Sequence, residues 1–366
     1  MKKNVFPSAL LLFFLTTLFF LIWEFKPLPA AKFVQQSAIP TNLPPFFASD
    51  FLPRAAPSAH ASTMTILPNN QLMVAWFAGA QEGAKDVAIF TSILQPNGWS
   101  TPQKVADRAS LAGSIFANVR KIGNPVLFTL NHRVYLWFVS VGVGGWAGSQ
   151  INLITSDDNG ITWSKAKRLV TSPLINISTL VRTSAIRLQN NEIALPVYHE
   201  WLLKYGELLR MDENGNILMK SRMPQRQSLQ PSLIVENSQT AHAFLRDSSA
   251  MNQVQHLITH DGGALWQKMP PSPLPNPNSS VATLKLPDGK WLLVGNEQNR
   301  HVLNAWISQD QGKTWHLAKQ LENGESEYSY PFLLLDLNGR IHLTYTWQRK
   351  TIRHMIFSQA WLENTP

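Results

Sequence analysis

The stretch "ISQDQGKTW", residues 307–315, closes a strand-forming run with Ser-x-Asp-x-Gly-x-Thr-Trp, and it decides the fold because it is not alone. "SDDNGITW" begins at Ser156, and "THDGGALW" spans residues 259–266, keeping Asp261, Gly263 and Trp266 while losing the Thr. Shorter echoes stand at "PNGWS" around Trp99 and "MDENGN" around Asp212. In such a unit an Asp carboxylate accepts backbone N–H bonds inside a tight turn, Gly supplies a positive φ, and Trp fills a seam between sheets. The regular recurrence of Asp158, Asp261 and Asp310 marks a structural part that each repeat needs, not a single active site.

A second pattern recurs beside it. "LPNNQLMVAWF" from Leu67, "LNHRVYLWFVS" from Leu130, "LQNNEIALPVY" from Leu188, "ENSQTAHAFLR" from Glu236, "LPDGKWLLVGN" from Leu286 and "LDLNGRIHLTY" from Leu335 each set a polar turn before an apolar strand. This is a hairpin signal. The copies return at roughly 50–60 residues, the spacing of a four-stranded propeller blade. Six copies predict an all-β, six-bladed β-propeller over residues 56–366.

Composition narrows the chemistry. Hydrophobic residues make up 44% and charged residues 15% of the 366 residues, with 13 Trp, as in a folded, aromatic-rich protein. The net charge of +9 is spread without a dense basic run, which points to an acidic small molecule or glycan as partner and away from nucleic acid. The absence of cysteine excludes disulfides, a thiolate nucleophile and a Cys-based zinc site. No HExxH spacing occurs and "GVGGWAG" from Gly142 lacks the lysine of a phosphate loop, so no metal or cofactor is expected and this glycine run reads as a pocket-edge loop.

At the N-terminus Lys2 and Lys3 precede an uncharged apolar run from Val5 to Trp23, long enough to cross a bilayer. Residues 1–23 are therefore read as a signal anchor, or as a signal peptide cleaved near "LPAA", residues 28–31. Either way the rest is expected to be exported, membrane-anchored by the N-terminal helix or secreted. Residues 24–55, with six prolines, read as an extended spacer. Oligomeric state stays open.

On its Asp-boxes and blade spacing the chain resembles the sialidase (neuraminidase) family of Asp-box, or BNR-repeat, propellers over about residues 55–360. The resemblance implies an exo-acting glycoside hydrolase of an acidic sugar such as sialic acid. Three arginines would grip the substrate carboxylate, a tyrosine helped by a glutamate would act as nucleophile, and an aspartate would act as acid and base. Arg246, ending "AHAFLR", and Arg300, in "NEQNRHVLNAWIS", match the second and third arginines, and Tyr330, in "YPFLLLDLNGRIHLTY", matches the tyrosine.

The chain departs from the pattern elsewhere. The place of the first arginine reads "PSAHASTM", with His60 near it, and the place of the glutamate is Gln230 in "LQPSLIVE", which can bond a phenol but cannot take its proton. "GAQEGAKDVAIF" offers Glu82 and Asp86 as the acid, Asp86 equally as a turn cap. "PVYHEW" directs Tyr198, His199 and Glu200 toward the axis, with Glu200 a replacement for the missing base. Arg182 in "LVRTSAI" and Asn278 in "NPNSS" join Gln230 and Tyr198 as candidate substrate-binding residues. In "YTWQRKTIRHMIF" the residues Arg349, Arg353 and His354 are expected on a strand that closes the ring against residues near 60–76, a pocket role being the alternative.

Three enzymes fit these residues: a tyrosine glycosidase built on Tyr330, a glycosidase using Glu82 and Glu200 as paired carboxylates, and a polysaccharide lyase in which His60 and Tyr330 move the proton. The competing class is a non-catalytic propeller that binds glycans or acts as a scaffold, and convergence of the named side chains separates it from the enzymes.

Overall fold

The computed structural model describes residues 10–16, 29–35, 39–40, 43–172 and 176–364. Six antiparallel sheets follow one another around a ring, the all-β, six-bladed propeller that the repeats predict. The innermost strands of blades 1 to 6 are Ser58–Ile66, Lys121–Leu130, Leu180–Val181, Ser228–Val235, Ala282–Lys285 and Tyr328–Leu335. The polar-turn motifs are the hairpins joining each innermost strand to the next, and the same backbone bond closes five of them, as in Leu67 N–H to Gln71 O and Asp336 N–H to Arg340 O. Apolar side chains fill the seams between blades. Trp76, Trp137 and Trp291 are among the largest side chains fully buried there.

The Asp-boxes are turn hardware. Asp158 accepts from Thr162 N–H at 2.9 Å and Thr162 Oγ1 at 2.6 Å, while Ser156 Oγ donates to it at 2.7 Å and accepts from Gly160 N–H at 2.8 Å. Asp310 repeats this with Thr314 and Ser308, and Asp261 with Leu265 and Thr259. Gly160 has φ +82, a conformation that strains any L side chain, and a Cβ there would also push aside the tip of Met73 in blade 1, 2.2 Å away. These turns all lie on one face, the underside. The loops that follow each second strand, including 80–87, 200–204, 297–301 and 348–350, lie on the opposite face.

Ring closure differs from the sequence expectation. The strand carrying Arg353 and His354, Thr351–Phe357, pairs on its outer side with Phe47–Phe51, whereas Ser58–Ile66 pairs with Leu72–Gly79 inside blade 1. The outer strand of blade 6 thus comes from the segment expected to be a spacer, and the alternating pattern of the last blade leaves a free edge for it to cover. Arg349 lies outside that strand, in the turn before it, with φ 55.

The same spacer docks further upstream. Phe33 N–H bonds Ser238 O at 2.8 Å and Gln189 N–H bonds Lys32 O at 2.8 Å, with the Phe33 ring fully buried against blades 3 and 4. Ile39 and Leu43 reach Gly339 of blade 6. The described residues between 29 and 46 therefore lie on the underside. Phe33→Ala should lower the unfolding free energy by about 3 kcal/mol, the cost of emptying a buried aromatic site; a urea midpoint equal to that of the unsubstituted chain would mean the strap is not docked in solution. Of the anchor expected over 1–23, only the helical residues 10–16 are described, and no helix among the described residues is long and apolar enough to cross a membrane.

Candidate active site

One backbone device builds the site six times. Within the first four residues of each innermost strand, or up to four before it, stands a residue of positive φ: Ala61, Asn124, Ser178, Gln230, Asn278 and Tyr330. In blades 1, 2, 4 and 6 the register slips there, between His60 and Thr63, Gly123 and Val126, Leu229 and Ser232, and Ser329 and Phe332. A bulge re-aims the side chain it carries. Pro125, Pro231 and Pro331 follow three of these residues and have no N–H to leave unpaired where the ladder breaks.

Tyr330 stands at the centre of the cluster. Its φ of 56 is costly for a bulky residue, roughly 1–3 kcal/mol. The guanidinium of Arg182 lies 5.3 Å and that of Arg300 5.4 Å from its ring centroid, and the His60 ring meets it edge-on at 4.5 Å. Arg182 is fully buried and reaches across the axis from blade 3, donating to Ser62 O at 3.0 Å and to Tyr330 O at 2.5 Å. It fixes the backbone that carries the phenol. Burial pushes Arg182 down to about 10, so it remains a cation at neutral pH. Burial, with the Arg349 charge, likewise holds His60 neutral at about 3, and neither of its ring nitrogens has a hydrogen-bond partner.

Arg246 and Arg300 stand side by side, joined by Asn278. Arg246 Nε donates to Asn278 Oδ1 at 2.7 Å and Arg300 Nη2 to Asn278 O at 3.3 Å. Arg300 continues to Glu327 Oε1 at 3.1 Å, and Arg349 Nε donates to Glu327 Oε2 at 2.5 Å. Arg349 Nη1 then pairs with Glu82 at 2.7 Å, tying the blade 1 loop to the blade 6 turn. Burial alone would raise the Glu327 carboxyl, but hydrogen bonds from Arg349 and Ser329 and the neighbouring positive charge hold it at about 2. The guanidinium groups of Arg182, Arg246, Arg300 and Arg349 outnumber the carboxyls of Glu82, Glu200 and Glu327 here, an excess that favours an anionic ligand.

On the blade 3 side, Tyr198 Oη accepts from Asn124 Nδ2 at 3.2 Å and Gln230 Nε2 at 3.3 Å. Gln230, able to bond a phenol but not to take its proton, bonds that of Tyr198. Burial raises Tyr198, with the nearby Glu200 charge adding to it. Burial also raises the Glu200 carboxyl, against the charges of Arg246 and Lys204. A raised carboxyl beside an arginine has the character of a proton donor.

The structure thus gathers Tyr330, His60, Arg182, Arg246, Arg300, Asn278, Glu82, Glu200, Tyr198 and Gln230 on one face of the ring. Asp86 is set apart: its Oδ2 accepts from Ala80 N–H at 2.9 Å and caps the turn under the Glu82 loop. Two participants escaped the sequence reading: Asn124 was legible only as one of the positive-φ "Asn-Pro" and "Gln-Pro" bulges, and Glu327 sits in a connection where no motif marks it. Arg349, expected on the closing strand with the pocket as the alternative, joins the pocket cluster through Glu327 and Glu82.

The BNR repeat-like domain family model matches residues 70–343. No curated protein sequence matches the chain. Among solved structures, a Hadza microbial sialidase superposes with a TM-score of 0.68 at 14% identity, covering 82% of this chain and 66% of its own, so the chain spans just under two thirds of that sialidase. A protein of unknown function from Dyadobacter fermentans gives 0.70 at 14% identity, covering 85% and 97%, and the intramolecular trans-sialidase from Ruminococcus gnavus, solved with oseltamivir carboxylate, gives 0.66 at 14%, covering 84% and 96%. At such identities the likeness is one of fold. With its match across residues 70–343 and its six blades, three of them carrying Asp-boxes, the chain belongs to the BNR repeat-like domain family and is a sialidase-like propeller.

Proposed function

We propose that the protein is an exo-acting glycoside hydrolase of the sialidase type, cleaving a terminal acidic sugar, sialic acid or a related one, from a glycan. The carrying observation is the Arg246–Asn278–Arg300 bridge placed against the Tyr330 ring, two cations held side by side next to a phenol. In this reading the substrate carboxylate pairs with Arg246 and Arg300. Tyr330 Oη, its proton released to solvent, attacks the anomeric carbon as Glu200 protonates the departing oxygen; water, deprotonated by Glu200, then attacks the same carbon and breaks its bond to Tyr330 Oη. Glu82, paired with Arg349, shapes the blade 1 wall. The enclosed, neutral His60 supports this reading over a lyase, which needs a base open to the sugar.

Export and membrane attachment through residues 1–23 remain part of the proposal. Since the described residues 29–35, 39–40 and 43–46 lie on the underside, such an anchor would leave the pocket facing away from the membrane that holds it.

The direct test is charge selectivity. The full chain should hydrolyse fluorogenic glycosides of acidic sugars at least about a hundredfold faster, in kcat/KM, than their neutral counterparts, and Arg246→Ala should lose about 10- to 100-fold on the acidic substrate alone, the worth of one charge-assisted hydrogen bond. Equal rates on acidic and neutral glycosides would exclude the carboxylate grip. No release from any glycoside, with acidic sugars still bound, would leave a glycan-binding propeller.

A further inference from the structure

Next to Glu200 the chain runs on through Trp201, Leu202 and Leu203, and all three side chains stand out on the pocket face, Leu202 at 80% and Trp201 at 51% exposure. This is no slack loop. Ser178 Oγ accepts from the N–H groups of both Glu200 and Trp201, at 3.0 and 2.9 Å, fixing the base of the loop to a member of the positive-φ ring around the axis. The loop walls a cleft of about 310 Å³ that also takes in Ser178, Tyr205, Lys220 and Arg222. That volume lies at the lower end of ordinary ligand clefts.

The cleft has aromatic surface and surplus positive charge together. Tyr205 is stacked on His199 with ring centroids 4.4 Å apart, and the Arg222 guanidinium lies 4.2 Å over the Tyr205 ring. Arg222 is exposed and has no carboxylate partner among the described residues, and Lys204 stands at the loop's end. Glu207 is the acid at the floor, and it is already shared between His199 at 3.2 Å and Lys220 at 3.5 Å. An exposed tryptophan next to unpaired cations suits a sugar ring that carries a charge: the ring face stacks on the indole while its carboxylate meets the guanidinium.

We propose that this blade 3 cleft is a second glycan subsite, on the leaving-group side of the pocket, that takes a second acidic sugar residue, so that the substrate is an acidic oligosaccharide and not an acidic sugar capping a neutral chain. The proposal rests on the hydrolase reading only for the direction of the chain; binding tests it separately. Glu200, the group that meets the departing oxygen, is the residue immediately before Trp201 in the cleft wall, and both are held by the same Ser178 hydroxyl.

The experiment titrates the full chain, wild type, Trp201→Ala and Arg222→Ala, with an acidic monosaccharide, its acidic di- and trisaccharide, and a neutral trisaccharide, alongside hydrolysis of the same compounds. Expected are about tenfold tighter binding of the acidic disaccharide than of the monosaccharide, and loss of that gain in either variant with monosaccharide binding unchanged. Both positions are exposed, so the variants fold. Equal affinity for monosaccharide and oligomers overturns the subsite, and equal affinity for acidic and neutral trisaccharides overturns its charge preference. Binding of anionic lipid vesicles that is lost in Leu202→Asp, without oligomer preference, reassigns the rim to a membrane surface and also overturns it. Oligomer preference without any hydrolysis keeps the subsite and removes the hydrolase.

Discussion

Tyr330→Phe is expected to cut kcat on an acidic glycoside by on the order of 10⁴-fold, with KM and thermal stability nearly unchanged. The substitution keeps the ring that His60, Arg182 and Arg300 pack against and removes only the hydroxyl, so the structural role and the chemical role come apart. The backbone supports a chemical role. A bulky residue at φ 56 is held there by Arg182, whose buried guanidinium bonds the carbonyl of Tyr330 itself. Steady-state kinetics and a search for a glycosyl adduct on Tyr330 by mass spectrometry check the result. A variant retaining more than about a tenth of wild-type kcat would transfer the chemistry to Glu200 and Glu82, the pair a two-carboxylate glycosidase requires.

How much of this was legible follows from what a sequence pattern encodes. The blades were legible because each must bury its own strands and turn with the same few residues, so "SDDNGITW" and "ISQDQGKTW" overlay as sequences alone. Arg246, Arg300 and Tyr330 were legible through the resemblance to sialidases, as the residues of "AHAFLR", "NEQNRHVLNAWIS" and "YPFLLLDLNGRIHLTY" that match the family's second and third arginines and its tyrosine. The outer strand of blade 6 was not, because Phe47–Phe51 reads as part of a proline-rich spacer and becomes a strand only through pairing with Thr351–Phe357, some 300 residues away. The Arg349–Glu327–Arg300 chain was hidden for the same reason: its members lie in loops, where position is set by the ring and not by periodicity. The partner of Gln230 was likewise decided by the direction of a bulge, which composition does not record.

The same repetition that builds the ring also builds an acid-sensitive interior. In blades 4 and 6 a histidine on the second strand bonds a histidine on the third and an acid in the preceding turn: His242 to His256 at 2.9 Å with Glu236 at 3.2 Å, and His342 to His354 at 2.9 Å with Asp336 at 3.4 Å. Burial, then the charge of the partnering histidine, lowers His256 and His354 to about 3, and burial with Arg349 lowers His60 to about 3. A histidine depressed in the fold binds fewer protons there than when unfolded, so its contribution is fully present above the unfolded value near 6.5 and is lost as pH falls toward 3. Each such group contributes about 1.4 kcal/mol per pH unit across that window, and the three together about 4. Set against a typical total of about 5–15 kcal/mol, this predicts unfolding within roughly one to four units below pH 6.5. Below about pH 4 the depressed carboxyls of Asp158, Asp310 and Glu327, each held at about 2, add losses of the same sign. Thermal melts at pH 7, 6, 5 and 4 should show the midpoint falling steeply from pH 6 downward, and His354→Gln should flatten the fall by about a third of its slope. A midpoint constant from pH 7 to 4.5 would mean that these rings take up protons without opening the blades, and that the histidine stacks are solvated from the underside in a way their burial does not allow.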